Sequence, residues 1–165
     1  MKDSSRAKSL TNDEAFSRMA ALCSLSEHCE SEIREKLRKA AMPASDIEDI
    51  VDRLYDEGFL DTARYCRAYA RDKLRFDHWG SMKIQQALRL KGLPDADISK
   101  ALADLYEELG DDYHRILQDT LQQKARTLPS PTDDEHAEYI RRGKLIRFAA
   151  SRGFTLDEIL KEFEN

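Results

Sequence analysis

The fold of this chain is indicated by two stretches of equal length, IREKLRKAAMPASDIEDIVDRLY at residues 33–55 and IQQALRLKGLPDADISKALADLY at residues 84–106. A shift of 51 residues lays one on the other, and we single out eight positions at which apolar residues or prolines coincide. In the first stretch these are Ile33, Leu37, Met42, Pro43, Ile47, Val51, Leu54 and Tyr55; in the second they are Ile84, Leu88, Leu93, Pro94, Ile98, Leu102, Leu105 and Tyr106. Repetition at this period is typical of repeat architectures.

A third copy follows after a further shift of 61 residues. This shift lays Ile84, Leu88, Gly92, Leu93, Ile98 and Leu102 on Leu145, Ala149, Gly153, Phe154, Ile159 and Phe163. The longer period is explained by Leu128-Pro129-Ser130-Pro131-Thr132, a linker composition that interrupts the third copy after its first helix. The sequence therefore predicts three copies of one unit.

Each unit is predicted to consist of three amphipathic helices, because its apolar residues recur at intervals of three and four. We expect helices near residues 12–24, 30–40, 46–57, 62–75, 81–91, 96–108, 112–127, 135–152 and 156–163. Capping boxes are predicted at Ser45 with Glu48 and at Thr155 with Glu158, N-caps at Asp61 and Asp95, and left-handed helix ends at Gly58, Gly92 and Gly153.

The predicted fold is all-α, with three tandem three-helix repeats forming an elongated, curved array. We place an N-terminal tail at 1–11, repeat 1 at 12–60, repeat 2 at 61–110 and repeat 3 at 111–165, with the proline-containing linker at 128–133. A unit of this size buries a small core and depends on its neighbours for stability. Such arrays contact partners along a long face, which favours a protein or polymer as the ligand.

Composition narrows the class of protein. The chain has 165 residues, of which 36% are charged, and its apolar residues form no run long enough for a signal peptide or a membrane span. We therefore expect a cytoplasmic protein with no membrane association, whose Cys23, Cys29 and Cys66 are reduced thiols. No motif that presents a nucleophile, a metal or a phosphate is found, so we expect neither an enzyme nor a cofactor.

Charge is distributed in alternating blocks. The net charge of −5 opposes an uncomplicated nucleic-acid-binding protein, since phosphate contacts need a basic surface. Residues 62–92 hold eight Lys or Arg against two Asp, and residues 139–152 hold five basic residues and no acid. Residues 44–61 and 93–113 each hold seven acids against one basic residue. Basic helices thus alternate with acidic ones.

Three segments carry a family resemblance: Leu54-Tyr55-Asp56-Glu57-Gly58-Phe59-Leu60-Asp61, then Gly80-x-x-Lys83-Ile84-x-x-x-Leu88-x-x-Lys91-Gly92-Leu93, then Lys144-Leu145-Ile146-Arg147-Phe148-x-x-x-Arg152-Gly153-Phe154. With Glu32-Ile33 and Lys36-Leu37 before them, they resemble the RecX family in order and spacing. The chain departs from the family pattern at Cys29 in place of a serine-type cap, at Ala41 where the later repeats have glycine, and at Thr62 in place of a second acid.

The resemblance implies three tandem three-helix repeats that bind RecA filaments on single-stranded DNA and lie along the filament groove. It further implies inhibition of ATP hydrolysis, strand exchange and coprotease activity, and thereby modulation of recombination, DNA repair and the SOS response. We expect a monomer whose direct contact with DNA is weak. The alternative is a helical protein that binds nucleic acid directly, which the basic helices favour and the overall acidity opposes.

Two groups of cations are the candidate partner-binding residues, for RecA or for DNA phosphate. The repeat-two basic set comprises Arg71, Arg75, Lys83, Arg89 and Lys91, and the repeat-three basic set comprises Arg141, Arg142, Lys144, Arg147 and Arg152. Cations orient acidic partners by charge, but they also form ordinary solvated helix faces. Trp79 is open to two interpretations as well, as an interface or base-stacking residue or, as we favour, as packing between helices.

Overall fold

Eight helices form the regular structure of the computed structural model, which describes residues 9–164. They are α1 (Asn12–Leu25), α2 (Glu30–Lys39), α3 (Ala44–Asp56), α4 (Thr62–Arg75), α5 (Ser81–Leu90), α6 (Asp95–Ala125), α7 (Glu135–Ser151) and α8 (Leu156–Lys161). No strand is present within residues 9–164. The prediction of an all-α fold is confirmed.

The sixth and seventh predicted helices, at 96–108 and 112–127, are joined end to end in α6 across a kink at Leu109, so the predicted break between two helices is confirmed. The backbone of α6 leaves the helical region only at Leu109, with φ −129° and ψ 24°. Gly110 and the acids after it resemble a helix break in sequence, but no proline follows to remove a backbone donor. Helical hydrogen bonding therefore resumes after a kink.

Two of the four predicted N-terminal caps are confirmed. The Glu158 amide donates to Thr155 Oγ1 at 3.3 Å, and the Thr155 amide donates to Glu158 Oε2 at 2.8 Å. The Arg64 amide donates to Asp61 Oδ1 at 2.9 Å, which caps α4. Side-chain oxygens thus satisfy backbone donors that have no partner within their helix.

The predicted caps at Ser45 and Asp95 are wrong, because α3 and α6 begin one residue after a proline. The Pro43 carbonyl accepts from the Ile47 amide at 3.0 Å, so Ser45 already lies inside the helix. The Pro94 carbonyl accepts from the Ile98 amide at 3.1 Å in the same way. Neither helix has a side-chain cap.

The same left-handed turn ends the second helix of each predicted unit. Gly92 and Gly153 have φ values of 80° and 98°, as predicted, and Ala41 adopts a φ of 56° at the equivalent position. In each turn the following amide donates to a carbonyl five residues back, as from Met42 to Leu37 at 3.1 Å. Gly58 also has positive φ, at 76°. Ala41 therefore carries backbone strain that the two glycines avoid.

The chain divides into two compact units, Met1–Tyr65 and Cys66–Asn165. The first has a core formed by α1, α2 and α3, with side chains that include Ile33, Leu37, Ile47, Ile50, Val51 and Leu54. The buried residues of the second include Ile84, Leu88, Ile98, Leu105, Leu145, Ala149 and Ile159. These are largely the positions that the repeat predicts as apolar. The assignment of three domains, with the boundaries given above, stays a prediction.

In the second unit, the end of α7 is joined to the start of α5 by two backbone hydrogen bonds. The Gly80 amide donates to the Arg152 carbonyl, and the Met82 amide donates to the Gly153 carbonyl, both at 2.9 Å. A Cβ atom added to Gly80 would lie 2.5 Å from the backbone of Gly153, and one added to Gly153 would lie 2.3 Å from Lys83 Cβ. Glycine is therefore required at both positions.

A group of hydroxyls and a carboxylate joins α5, α6 and α8. The buried Tyr113 hydroxyl accepts from the Ser81 amide at 3.0 Å and donates to Glu158 Oε2 at 3.1 Å. The Tyr106 hydroxyl donates to Glu158 Oε1 at 2.7 Å. Burial raises the pKa of Tyr113, so this hydroxyl stays protonated and remains a donor. Glu158 thus holds both tyrosines as well as the α8 cap.

Across residues 9–164, no helix combines the length and the apolar character that crossing a lipid bilayer requires.

Candidate partner-binding surfaces

Three cations of the repeat-two basic set are paired with carboxylates of the same unit. Arg71 forms an ion pair with Glu108, and Arg75 lies 3.8 Å from Asp112, so two turns of α4 face two turns of α6. Arg89 Nε lies 2.9 Å from Asp95 Oδ1. Such exposed pairs add little stability, but each carboxylate offsets a positive charge that would otherwise attract an acidic partner.

The other two members of that set lie over aromatic rings. Lys83 Nζ is 4.5 Å from the centroid of the Trp79 ring, and Lys91 Nζ is 5.7 Å from that of Tyr69. Lys73 Nζ also contacts the Trp79 ring, at 4.8 Å. Trp79 is half-buried, so its ring packs where these lysines meet and its faces are not free for an extended stack.

The loop that contains Trp79 is fixed by charge. Lys73 donates to Asp77 Oδ2 at 2.8 Å, and this hydrogen bond holds the pKa of Asp77 below its usual value. Arg152, a member of the repeat-three basic set, donates to the Asp77 backbone carbonyl at 2.6 Å. Arg152 therefore holds the α4–α5 loop against the end of α7.

Arg141 of the repeat-three basic set also has partners within the unit. Its guanidinium donates to the Pro129 carbonyl at 3.0 Å and lies 3.5 Å from Glu138 Oε1. Only 17% of its side chain is exposed. Arg141 therefore fastens the proline-containing linker to α7.

The remaining members, Arg142, Lys144 and Arg147, are exposed on α7. The Arg142 guanidinium stacks 4.7 Å from the centroid of the Phe163 ring. No carboxylate of residues 9–164 forms an ion pair with Lys144 or Arg147. Of the ten candidate cations, Lys144 and Arg147 are the two for which neither an ion pair, nor an aromatic ring, nor a hydrogen bond to a carbonyl is found within residues 9–164.

Exposed apolar residues lie beside these cations, which the sequence reasoning missed. Tyr139 is 77% exposed and Ile140 is 43% exposed. Ile140 lines a pocket of about 210 Å³ between the linker and α7, together with Leu128, Pro129, Ser130, Thr132, Ala137, Glu138, Arg141 and Lys144. The signal was present in the sequence as a Tyr-Ile pair directly before Arg141.

Groups suited to chemistry are dispersed. Within residues 9–164 no three His, Cys, Asp or Glu side chains are grouped so as to hold a metal ion. Cys23, Cys29 and Cys66 form no disulfide, and Cys29 and Cys66 are buried. What the arrangement offers is a basic and apolar surface on α7 that can bind an acidic partner.

Comparisons with known proteins agree with this helical organisation. Residues 15–54 match the model described as "RecX, first three-helix domain", and residues 61–102 match "RecX, second three-helix domain". The fold is similar to a crystal structure of regulatory protein RecX, with a TM-score of 0.77 over 93% of this chain and 72% of that one, at 23% identity. It is also similar to RecX from Lactobacillus salivarius, with a TM-score of 0.75 over 93% of this chain and 96% of that one, at 17% identity. A helical repeat array is thereby confirmed.

Sequence relatives extend the similarity beyond the fold. The regulatory protein RecX of Ectopseudomonas mendocina is 35% identical over 134 residues, which are 81% of each chain. That of Prosthecochloris aestuarii is 31% identical over 154 residues, which are 88% of this chain and 93% of the relative. Identity at this level over most of both chains, together with the two matched three-helix domains, shows that this protein belongs to the RecX family of regulatory proteins.

Proposed function

We propose that this chain binds the recombinase RecA, preferentially as a filament on single-stranded DNA, and inhibits its ATPase, strand-exchange and coprotease activities. The protein would act as a cytoplasmic, non-enzymatic monomer that modulates recombination, DNA repair and the SOS response. The observation that carries this proposal is membership of the RecX family. The uncompensated cations Lys144 and Arg147 support it by offering a surface for an acidic protein partner.

The proposed mechanism is occupancy of the filament groove. A repeat array that contacts successive RecA subunits would hinder the relative movements that hydrolysis and strand pairing require. Each contact is modest, and affinity arises because the contacts form together only when the subunits are correctly spaced. Free RecA monomers offer one contact at a time, so we expect them to bind weakly.

The deciding experiment is a titration of RecA ATPase activity on single-stranded DNA with this protein. We expect turnover to fall to a low plateau as the protein saturates the filament. Co-sedimentation with RecA, with and without DNA and nucleotide, would then compare filament with monomer. Unchanged turnover at saturation would refute the proposed function, and equal affinity for monomer and filament would refute groove binding.

Charge-reversal variants test whether the cations without an ion pair contribute more to binding than those with one. We expect the double variant Lys144→Glu with Arg147→Glu to weaken inhibition of RecA, because no carboxylate of residues 9–164 offsets the charge of these two cations. Arg71→Glu is the matched control in repeat 2, where Glu108 already offsets the charge. Both variants should keep the helical content of the parent, and full inhibition by the α7 variant would exclude this surface.

Direct binding of nucleic acid is the second candidate, favoured by the uncompensated cations on α7. Binding to naked single-stranded DNA should be weak under the first proposal and fall steeply with salt, because it would depend on phosphate contacts alone, which added salt weakens. Tight binding that persists at high salt in the absence of RecA would support the second candidate instead.

A further inference from the structure

The pocket beside α7 and the cations that follow it lie along one face of the helix. Ile140, Lys144 and Arg147 are spaced by four and three residues, which places them on the same side of α7. At 1.5 Å per residue, the two cations lie about 6 and 10 Å along the helix from Ile140. An apolar recess is therefore followed by two positive charges at fixed distances.

The recess is a formed cavity with a defined wall. The Arg141 hydrogen bond to the Pro129 carbonyl holds the linker against α7, and Leu128 and Ala137 contribute apolar surface. The volume of about 210 Å³ is large enough to admit one aliphatic side chain. An aliphatic side chain bound in this recess would be removed from contact with water.

Charge determines what must flank that side chain. Glu138 lies at the rim but is paired with Arg141, so the pair contributes little net charge. Lys144 lines the pocket and is exposed, and no carboxylate of residues 9–164 pairs with it. An acidic ligand would supply the counter-charges that the chain itself does not.

We propose that this pocket and the adjoining cations bind an acidic segment of the partner, in which an aliphatic side chain fills the pocket and carboxylates contact Lys144 and Arg147. An extended chain advances about 3.3 Å per residue. Successive side chains of an extended chain point to opposite faces, so the carboxylates that face α7 lie two and four residues from the aliphatic residue, about 6.6 and 13 Å along the peptide. The first distance matches Lys144, and the long side chain of Arg147 spans the remaining difference of about 3 Å. The motif is leucine, any residue, aspartate, any residue, glutamate. The inference rests on the proposed function for the identity of the partner, which is RecA.

The first test uses a synthetic octapeptide containing Leu-Gly-Asp-Gly-Glu and the full-length chain labelled with ¹⁵N. We expect chemical-shift changes concentrated at the amides of Leu128, Ala137, Ile140 and Lys144. One control peptide replaces leucine by alanine, and another replaces both acids by lysine. Each should bind at least about tenfold more weakly, which for the first is the change that one buried aliphatic side chain provides. Equal shifts with the control peptides, or no shifts at these amides, would overturn the proposal.

The second test uses variants. Ala137→Phe fills the pocket without changing charge, Lys144→Glu reverses the rim charge without filling the pocket, and Lys36→Glu is a control on the exposed surface of α2. We expect the first two to raise the peptide dissociation constant and the midpoint of RecA inhibition by about tenfold, and the control to leave both unchanged. Ala137→Phe changes volume and Lys144→Glu changes charge, so any effect of these two substitutions on folding would differ. A common loss of binding therefore reports the site.

The results separate the two proposals. If the parent protein leaves RecA turnover unchanged, the proposed function fails, while the peptide titration still decides whether the pocket binds this motif. If the parent inhibits RecA and both α7 variants inhibit equally well, the pocket is not the contact and the further inference fails alone.

Discussion

Three equivalent turns allow backbone strain and steric contact to be measured separately. Ala41, Gly92 and Gly153 all adopt left-handed φ values. A residue with a Cβ atom loses about 1–2 kcal/mol in this conformation, whereas introducing glycine costs about 0.4–1 kcal/mol through the entropy of the unfolded chain. We therefore expect Ala41→Gly to raise the free energy of unfolding by about 1 kcal/mol.

The reverse substitutions should differ from each other. A Cβ atom on Gly92 meets nothing within 4 Å, so Gly92→Ala should cost only the strain, about 1 kcal/mol. A Cβ atom on Gly153 lies 2.3 Å from Lys83 Cβ and 2.7 Å from its amide nitrogen. Overpacking adds about 1–3 kcal/mol, so Gly153→Ala should cost about 2–4 kcal/mol in total.

Urea denaturation followed by circular dichroism measures all three variants, and Trp79 fluorescence reports the second unit, which contains Gly92 and Gly153. In thermal melts, a change of 1 kcal/mol corresponds to about 3 °C for a chain of this size. The reasoning is refuted if Ala41→Gly lowers stability, or if Gly153→Ala costs no more than Gly92→Ala.

Three further outcomes follow from the second unit and from the buried tyrosines. Tyr113→Phe should cost about 1–3 kcal/mol in urea denaturation, because the buried Ser81 amide loses its acceptor, whereas Tyr106→Phe, at a residue 39% exposed, should cost less. Gly110→Ala should stabilise the protein by about 0.5–1 kcal/mol, since an added Cβ meets nothing within 4 Å inside a helix; a loss of stability would contradict this. Burial raises the pKa of four tyrosines, so above pH 10 the folded chain keeps protons that the unfolded chain releases, and stability should fall as pH rises. These are Tyr55, Tyr65, Tyr106 and Tyr113. In a pH titration followed by tyrosinate absorbance, the folded protein should therefore ionise at a higher pH than the protein in denaturant. Coincident titration curves would contradict the prediction.

Hydrophobic spacing predicted most of the helices because each buries one apolar stripe. Ile33 and Leu37 in α2, and Ile84 and Leu88 in α5, are fully or almost fully buried, as their repeat positions indicate. That the two helices of α6 meet at a kink and not at a loop could not be read this way, because a glycine among acids is compatible with both. The caps at Ser45 and Asp95 failed for a local reason, since the preceding prolines supply the first carbonyl of each helix.

The candidate site was predictable in part. The basic blocks indicated which helices carry cations, but not which carboxylates would lie opposite them. Arg71 and Glu108 are 37 residues apart, and so are Arg75 and Asp112, so their pairing depends on how α4 and α6 pack. Arg141 and Arg152 bind backbone carbonyls, whose positions no charge pattern reveals.

The joining of two helices in α6 across the kink at Leu109 constrains how this protein can be recombined with its homologues. Helix α6 crosses residue 110, where repeats 2 and 3 are predicted to meet. Excision of either repeat at that point would remove part of α6 and expose buried side chains such as Leu105 and Leu117. Chimeras should instead be spliced within residues 128–133, after α6 has ended.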